Sequence, residues 1–240
     1  MAEITSDGKS IREINAAIKR LIAQGETEIL VKCPAARHNL GVAVLQPVHI
    51  TFAGSVGYYC AGMIDSPTVE IRGSAGWGVA ESMLAGAVIV HGSAGNGAGA
   101  AIRGGTVVIH GDAAARAGVS MKGGLILIGG NCGYMSGFMA QKGVIVVCGD
   151  AGRAFADSMY ETVCFVGGQV NDLGNDAVIE EMTNEDVTFL ASTLAHHFRS
   201  TPLRGVPGKT LVVGNFKKVV AGRQLWNFKK QERALWREAL

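Results

Sequence analysis

Apolar and polar positions recur with a period of nineteen through residues 50–182. Cut at that period, the stretch gives seven segments, running from ITFAGSVGYYCAGMIDSPT through VIVHGSAGNGAGAAIRGGT and VVIHGDAAARAGVSMKGGL to CFVGGQVNDLGNDAVIEEM. Places one and three are apolar in every segment, as in Val88/Val90, Val107/Ile109, Ile126/Ile128 and Ile145/Val147. Place five is always glycine, at Gly54, Gly73, Gly92, Gly111, Gly130, Gly149 and Gly168. Alternating apolar residues closed by glycine predict a short strand with one buried face, then a turn that needs a positive φ or a close backbone approach.

A strand this short cannot bury its apolar face alone, so units at a fixed period must stack and hydrogen-bond coil to coil. The expected fold is an all-β core, a parallel β-solenoid of about seven 19-residue coils. At a strand separation of ~4.8 Å the rod is roughly 30 Å long. Each end exposes an unpaired edge and calls for a cap. The chain accordingly divides into an N-terminal helix and strand cap (1–49), the solenoid domain (50–182) and a C-terminal helical and extended tail (183–240).

In the N-terminal cap, Ser10 and Glu13 are spaced as a capping box, and Ile11, Ile14, Ile18, Leu21 and Ile22 follow at helical spacing until Gly25. This amphipathic helix needs a surface, and the open end of the rod supplies one. Residues 28–32 read as a strand broken by Cys33 and Pro34, with an irregular first coil at 42–45. In the tail, Thr183 and Asp186 can cap a second helix with Val187, Leu190, Ala191, Leu194 and Phe198 on one face, and Pro202 beyond its end. Residues 211–213 read as a short strand and 231–240 as a last helix. Lys217, Lys218, Arg223, Lys229, Lys230, Arg233 and Arg237 make the tail basic.

Place two should face outward, yet after Thr51 and Glu70 it becomes Ile89, Val108, Leu127, Val146 and Phe165. An apolar stripe of that length rarely faces water. Its cover is either the C-terminal tail or a second protein chain, and both make the rod a docking scaffold. On that reading Leu127→Asp leaves the solenoid folded and weakens assembly.

Composition narrows the function. The 34 glycines sit at repeat positions rather than scattered, and a formal net charge of +2 gives no reason to expect nucleic acid or a membrane surface. The first residues lack a basic segment leading into an apolar run, and no run elsewhere approaches the ~20 residues of a membrane span, so a cytoplasmic protein is expected. The five cysteines, Cys33, Cys60, Cys132, Cys148 and Cys164, form no CxxC pair and fit reduced, mostly buried thiols.

Candidate chemistry is sparse. His91 and His110 hold the same place in neighbouring coils, so they stack as a ladder or share a metal; no third ligand stands at that place in the adjoining coils. His196 and His197 are helix neighbours pointing to different faces. Cys148 and Cys164 read as small buried residues, and Asp112 and Asp150 as turn formers. Gly95, Asn96, Gly97 and Gly99 suggest a phosphate loop only superficially, since no helix or placed lysine follows. No residue is assigned a catalytic, cofactor-binding or metal-binding role.

After the fifth-place glycine the coils tend toward G-x-x-G-x-x-x-G. The pattern is intact at Gly92/Gly95/Gly99 and Gly130/Gly133/Gly137 and partial at Gly54/Gly57/Ala61, Gly73/Gly76/Ala80, Gly111/Ala114/Gly118 and Gly149/Gly152/Ala156. Over roughly residues 40–182 it resembles the right-handed parallel β-helix, or GXGXG domain, that ends the large subunit of glutamate synthase, and the related β-helix chain of formylmethanofuran dehydrogenase. Standing alone and flanked by its own helices, it resembles the β-helix subunit of N-methylglutamate synthase (methylamine–glutamate N-methyltransferase).

That resemblance implies a non-catalytic scaffold. The implied partners are a flavin-binding glutamate-synthase-like subunit, carrying FMN and an iron–sulfur cluster, and an amidotransferase-like subunit. The family's nucleophilic N-terminal cysteine and cluster cysteines have no counterparts here. The competing readings are the dehydrogenase subunit, against which the basic, aromatic end (Trp226, Phe228, Trp236) weighs, and a stand-alone structural solenoid. A polysaccharide-cleaving β-helix would need an export signal and clustered carboxylates, and a hexapeptide-repeat acyltransferase a coil divisible by six.

Overall fold

The computed structural model describes residues 1–198 and 212–225. The elements are β1 (Ala2–Thr5), α1 (Ile11–Ala23), β2 (Glu28–Lys32), β3 (His49–Ala53), β4 (Thr68–Ile71), β5 (Ala87–Val90), β6 (Thr106–Ile109), β7 (Leu125–Ile128), β8 (Lys142–Val147), β9 (Glu161–Val166), β10 (Ala177–Glu180), α2 (Asn184–Phe198), a 3-10 turn (Val213–Asn215) and β11 (Lys217–Ala221). Strands β3 to β9 pair in parallel at a constant offset, Ile50 with Val69, then Val88, Val107, Ile126, Ile145 and Cys164. A second ladder joins Val56, Ala75, Ala94, Ala113, Cys132, Ala151 and Val170 on the next side of the coil. The fold is the expected parallel β-solenoid. Places one and three point inward and are fully buried throughout, packed with Met83 and Phe155.

The fifth-place glycine is required by closeness, not by φ. Apart from Gly54, at φ 153°, none of these glycines has a positive φ. Gly92, Gly111 and Gly130 each donate an N–H to the equivalent carbonyl of the preceding coil, at 2.8, 2.9 and 2.9 Å. A Cβ at Gly111 would lie 2.5 Å from Ser93 Oγ and 2.9 Å from Gly92 O.

Positive φ sits instead at places ten, twelve and fourteen, for example Arg116 (61°), Gly118 (68°) and Ser120 (53°), and Met135 (53°), Gly137 (76°) and Met139 (50°). The N–H groups of these left-handed residues go in turn to opposite neighbours. Arg116 and Ser120 donate forward to Tyr134 O (2.8 Å) and Phe138 O (2.9 Å), whereas Gly118 donates back to Ala98 O (2.8 Å). Place twelve ends the G-x-x-G-x-x-x-G pattern; glycine there avoids a strain of about 1 kcal/mol that alanine carries at Ala61, Ala80 and Ala156.

The N-terminal cap forms as expected. Ser10 and Glu13 make the reciprocal capping box, and Ile14 and Ile18 of α1 are fully buried over the first coil. Asn15 pins the helix there, donating to Asn39 O (2.7 Å) and accepting from Gly41 N–H (2.9 Å). β1, which the pattern did not predict, adds a parallel strand to β2.

At the other end α2 lies along the outward stripe. Leu190, Leu194 and Phe216 close over Val108, Leu127, Val146, Cys148 and Phe165 in a second apolar cluster. Of the two covers considered, the tail is the one observed. The buried side of α2 is Leu190, Thr193 and Leu194, while Val187 and Ala191, expected on it, are exposed. The helix is apolar around much of its girth, so periodicity does not select the face. Anchoring does: Thr183 donates to Asp186 Oδ2 from N–H and hydroxyl (2.8 and 3.0 Å), and Lys218 Nζ on β11 reaches the same oxygen at 2.9 Å. Burial works to raise the Asp186 carboxyl, and these bonds outweigh it and hold it below its ordinary range.

The strand expected at 211–213 is displaced. Val213 begins the 3-10 turn, Leu211 lies outside the described residues, and the strand is β11, antiparallel between β9 and β10. The expected helix at 231–240, Pro202, and the cations Lys229, Lys230, Arg233 and Arg237 also fall outside the described residues. No helix among the described residues is long and apolar enough to cross a membrane.

Two outcomes test this packing. Gly111→Ala should lower stability by about 2 kcal/mol through overpacking, measured by urea unfolding, whereas Gly214→Ala, with nothing within 4 Å of the added Cβ, should change it little. Leu127 is fully buried beneath α2, which corrects the assembly expectation above: Leu127→Asp meets the chain's own helix. Amide exchange along α2 should accelerate roughly tenfold or more while β6–β8 stay protected.

Candidate functional site

The outward sheet face is clasped over its later coils, with Ile89 of the third coil at the margin of the clasp, and Glu70 of the second coil lies outside it. On the open part Glu70 is a hub. His91 Nε2 donates to its Oε1 at 2.8 Å, His49 Nε2 lies 3.5 Å from Oε2, Arg72 Nε 3.7 Å from Oε1, and Thr51 Oγ1 3.4 Å from Oε2. Burial acts to raise the Glu70 carboxyl, but the His91 bond and the Arg72 charge prevail and hold it below its ordinary range. Places two and four share the outward side, so a carboxylate at one meets an imidazole at the other in the next coil. Tallying each place separately hid Glu70 and His49.

His91 and His110 stack as the repeat requires, with centroids 5.1 Å apart and planes 3° from parallel. Face-to-face rings aim their nitrogens along the sheet rather than at a shared point. Phe198, the last residue of α2, packs edge-on against His110 at 5.3 Å. Among the described residues, no group of three or more His, Cys, Asp or Glu side chains is placed to hold a metal ion.

The remaining candidates resolve into structural roles. Asp112 and Asp150 belong to a place-six ladder in which each side-chain oxygen accepts the N–H of the next coil, Asn131 N–H to Asp112 at 2.7 Å and Gln169 N–H to Asp150 at 2.7 Å. The amides of Gly95, Gly97 and Gly99, which a phosphate would need, donate instead to Ala75 O, Ala115 O and Val79 O. His196 and His197 meet edge-on at 4.6 Å, and burial, then His196, pushes His197 down. Cys148 lies under α2 with its thiol pushed up by burial to about 12, Cys60, Cys132 and Cys164 are raised in the core, and Cys33 is exposed.

Sequence reasoning missed one further feature. On the turn side His38, Tyr58 and Trp77 form an exposed aromatic stack, at 4.4 Å and 19°, then 5.2 Å and 16°. Tyr58 is 41% exposed, Trp77 53%, and the adjoining Tyr59 48%. Tyr58 and Trp77 hold place nine of adjacent coils. That signal was present but interrupted, since place nine of the later coils is Asn96, Ala115, Tyr134, Arg153 and Asp172. Exposed aromatics of this size fit a protein contact surface.

The chain matches the GXGXG-motif family over residues 35–221 and belongs to it. The matched span takes in α2 and β11 as well as the coils. Protein GlxC of Rhizobium meliloti (strain 1021) is 47% identical to it over 220 residues, 91% of this chain and 92% of that protein.

The Glu70 hub should register in stability. A carboxyl lowered in the folded state stabilises at pH values above its unfolded pKa and loses that contribution as pH falls through the folded value. Glu70→Gln should therefore cost about 1 kcal/mol at pH 7, unchanged down to about pH 4.5, with the difference from the parent vanishing in more acid solution. Urea unfolding across that pH series reads it.

Proposed function

We propose that this protein is the scaffold subunit of a glutamate-synthase-like enzyme, without catalytic residues of its own. The observation that carries this reading is the family match, which spans rod and clasp together, and to which the likeness to GlxC adds a relative matched over 92% of its length. The outward faces support it. The Glu70 row is occupied by its own ion pairs, the glycine amides are spent on neighbouring coils, and the aromatic stack at Tyr58 and Trp77 is left for a partner.

The enzyme proposed is N-methylglutamate synthase, which forms N-methylglutamate and ammonia from methylamine and glutamate in the cytoplasm. The rod holds two further chains in register, one flavin-binding and one amidotransferase-like. FMN and an iron–sulfur cluster reside in the flavin-binding partner. Four of this chain's thiols are buried and raised, which makes them poor cluster ligands.

Mild affinity purification from the protein's own cells tests the reading. Two further chains, a flavin spectrum and methylamine-dependent N-methylglutamate formation by the complex alone are expected. A molybdopterin-containing assembly would show the dehydrogenase subunit instead, and a lone colourless protein would leave a structural solenoid. In the same assay the double variant Tyr58→Ser, Trp77→Ser should keep its unfolding free energy within about 1 kcal/mol, since both rings are about half exposed, and lose a partner chain.

A further inference from the structure

The large apolar side chains left in the open are not spread evenly along the rod. Among the described residues, six of the fourteen fall between residues 45 and 84: Leu45, Tyr58, Tyr59, Met63, Trp77 and Leu84. Backbone bonds on the turn side set most of them next to one another. Tyr59 N–H donates to Trp77 O (2.7 Å), Met63 N–H to Glu81 O (2.8 Å), and Ala43 N–H to Gly62 O (2.9 Å) beside Met63. A Cβ at Gly78 would lie 2.8 Å from both the Tyr59 ring and Glu81 Oε2, so this glycine makes the room that ring and carboxylate share. The aromatic stack therefore continues through Tyr59 and Met63 to Ala43.

At Ala43 the patch meets a groove of about 320 Å³ between α1 and residues 43–46, lined also by Lys19, Ile22, Ala23, Val44, Leu45 and Gln46. The α1 side of this groove is basic. Arg12, Lys19 and Arg20 make no ion pair among the described residues, and Glu13 is held by Ser10. The opposite margin is acidic, with Asp65, whose N–H donates to Val44 O at 2.9 Å, and beyond it Glu81. The described tail leaves the rod elsewhere: α2 ends at Phe198 against His110 of the fourth coil, and Leu225 is bonded to Asp176 of the seventh, roughly 34 Å along the rod at the strand spacing. We propose that patch and groove form one docking surface for a partner chain, which inserts a bulky apolar side chain between α1 and residues 43–46, sets a carboxylate against Lys19 and Arg20, and lays apolar residues across Met63, Tyr59 and Trp77. Charge fixes the direction, because a carboxylate turned the other way would meet Asp65 and Glu81. The inference rests on the scaffold reading and adds where the partner lands and what it presents.

Acylation of surface lysines with acetic anhydride, read by mass spectrometry on the isolated full chain and on the affinity-purified complex, tests this. Lys19 and Lys122 are both exposed and should label at similar rates in the isolated chain. In the complex Lys19 should slow roughly tenfold while Lys122 does not. Lys19→Glu should leave the unfolding transition of the isolated chain in place and cut recovery of one partner chain roughly tenfold, with Lys19→Arg restoring it and added salt weakening the parent. Equal labelling of Lys19 in chain and complex, or full recovery of every partner with Lys19→Glu, overturns the proposal and leaves the scaffold reading standing; purification as a lone protein overturns both. Lys19 already slow in the isolated monomer means that the chain covers its own groove, and labelling that slows with protein concentration alongside a doubled mass means a second copy; either overturns the proposal.

Discussion

Every coil must accept the next at the distance of a strand pair, and that constraint shapes the rest of the molecule. It holds the parallel ladder from Ile50 to Cys164 at one offset. It removes side chains where backbones nearly touch, at Gly73, Gly92 and Gly111. On the turn side it makes the chain alternate left- and right-handed residues, so that each coil bonds both neighbours without a regular strand. The polar ladder through Ser93, Asp112, Asn131 and Asp150 answers the same need with side-chain oxygens.

A rod built this way has many repeated surfaces and few unique ones. Its unique chemistry lies where the repeat changes. Place two turns from Thr51 and Glu70 to an apolar stripe, and there the outward face passes from an open ion-pair row to a surface roofed by α2. The Asp186–Lys218 contact ties the roof to β11, and β11 is tied to the last coil through Lys217 Nζ and Gly168 O at 2.9 Å. Clasp and rod therefore form one structure, consistent with a family match that covers both.

This division fits the proposed role of positioning other chains. A stiff core with fixed register supplies distance, the clasp fills the stripe that would otherwise recruit partners unselectively, and the aromatic stack on another side presents a distinct contact. Stacked rings at Tyr58 and Trp77 are already ordered, so docking there would sacrifice little side-chain freedom.

The sequence by itself determined the coil length, the inward residues and the capping box at Ser10, because each is a local pattern repeated or completed within a few residues. It also left the right question at the stripe, naming both covers. Only the tertiary structure decided that the tail is the cover and which side of α2 faces down, since a helix apolar on most sides has no preferred face until Asp186 meets Lys218. The hub at Glu70 was equally out of reach of a place-by-place reading: His49, Glu70 and His91 come from three coils and three places, and only stacking at strand spacing brings one carboxylate between two imidazoles. Period and polarity are properties of the chain, whereas the meeting of unlike places across coils is a property of the stack.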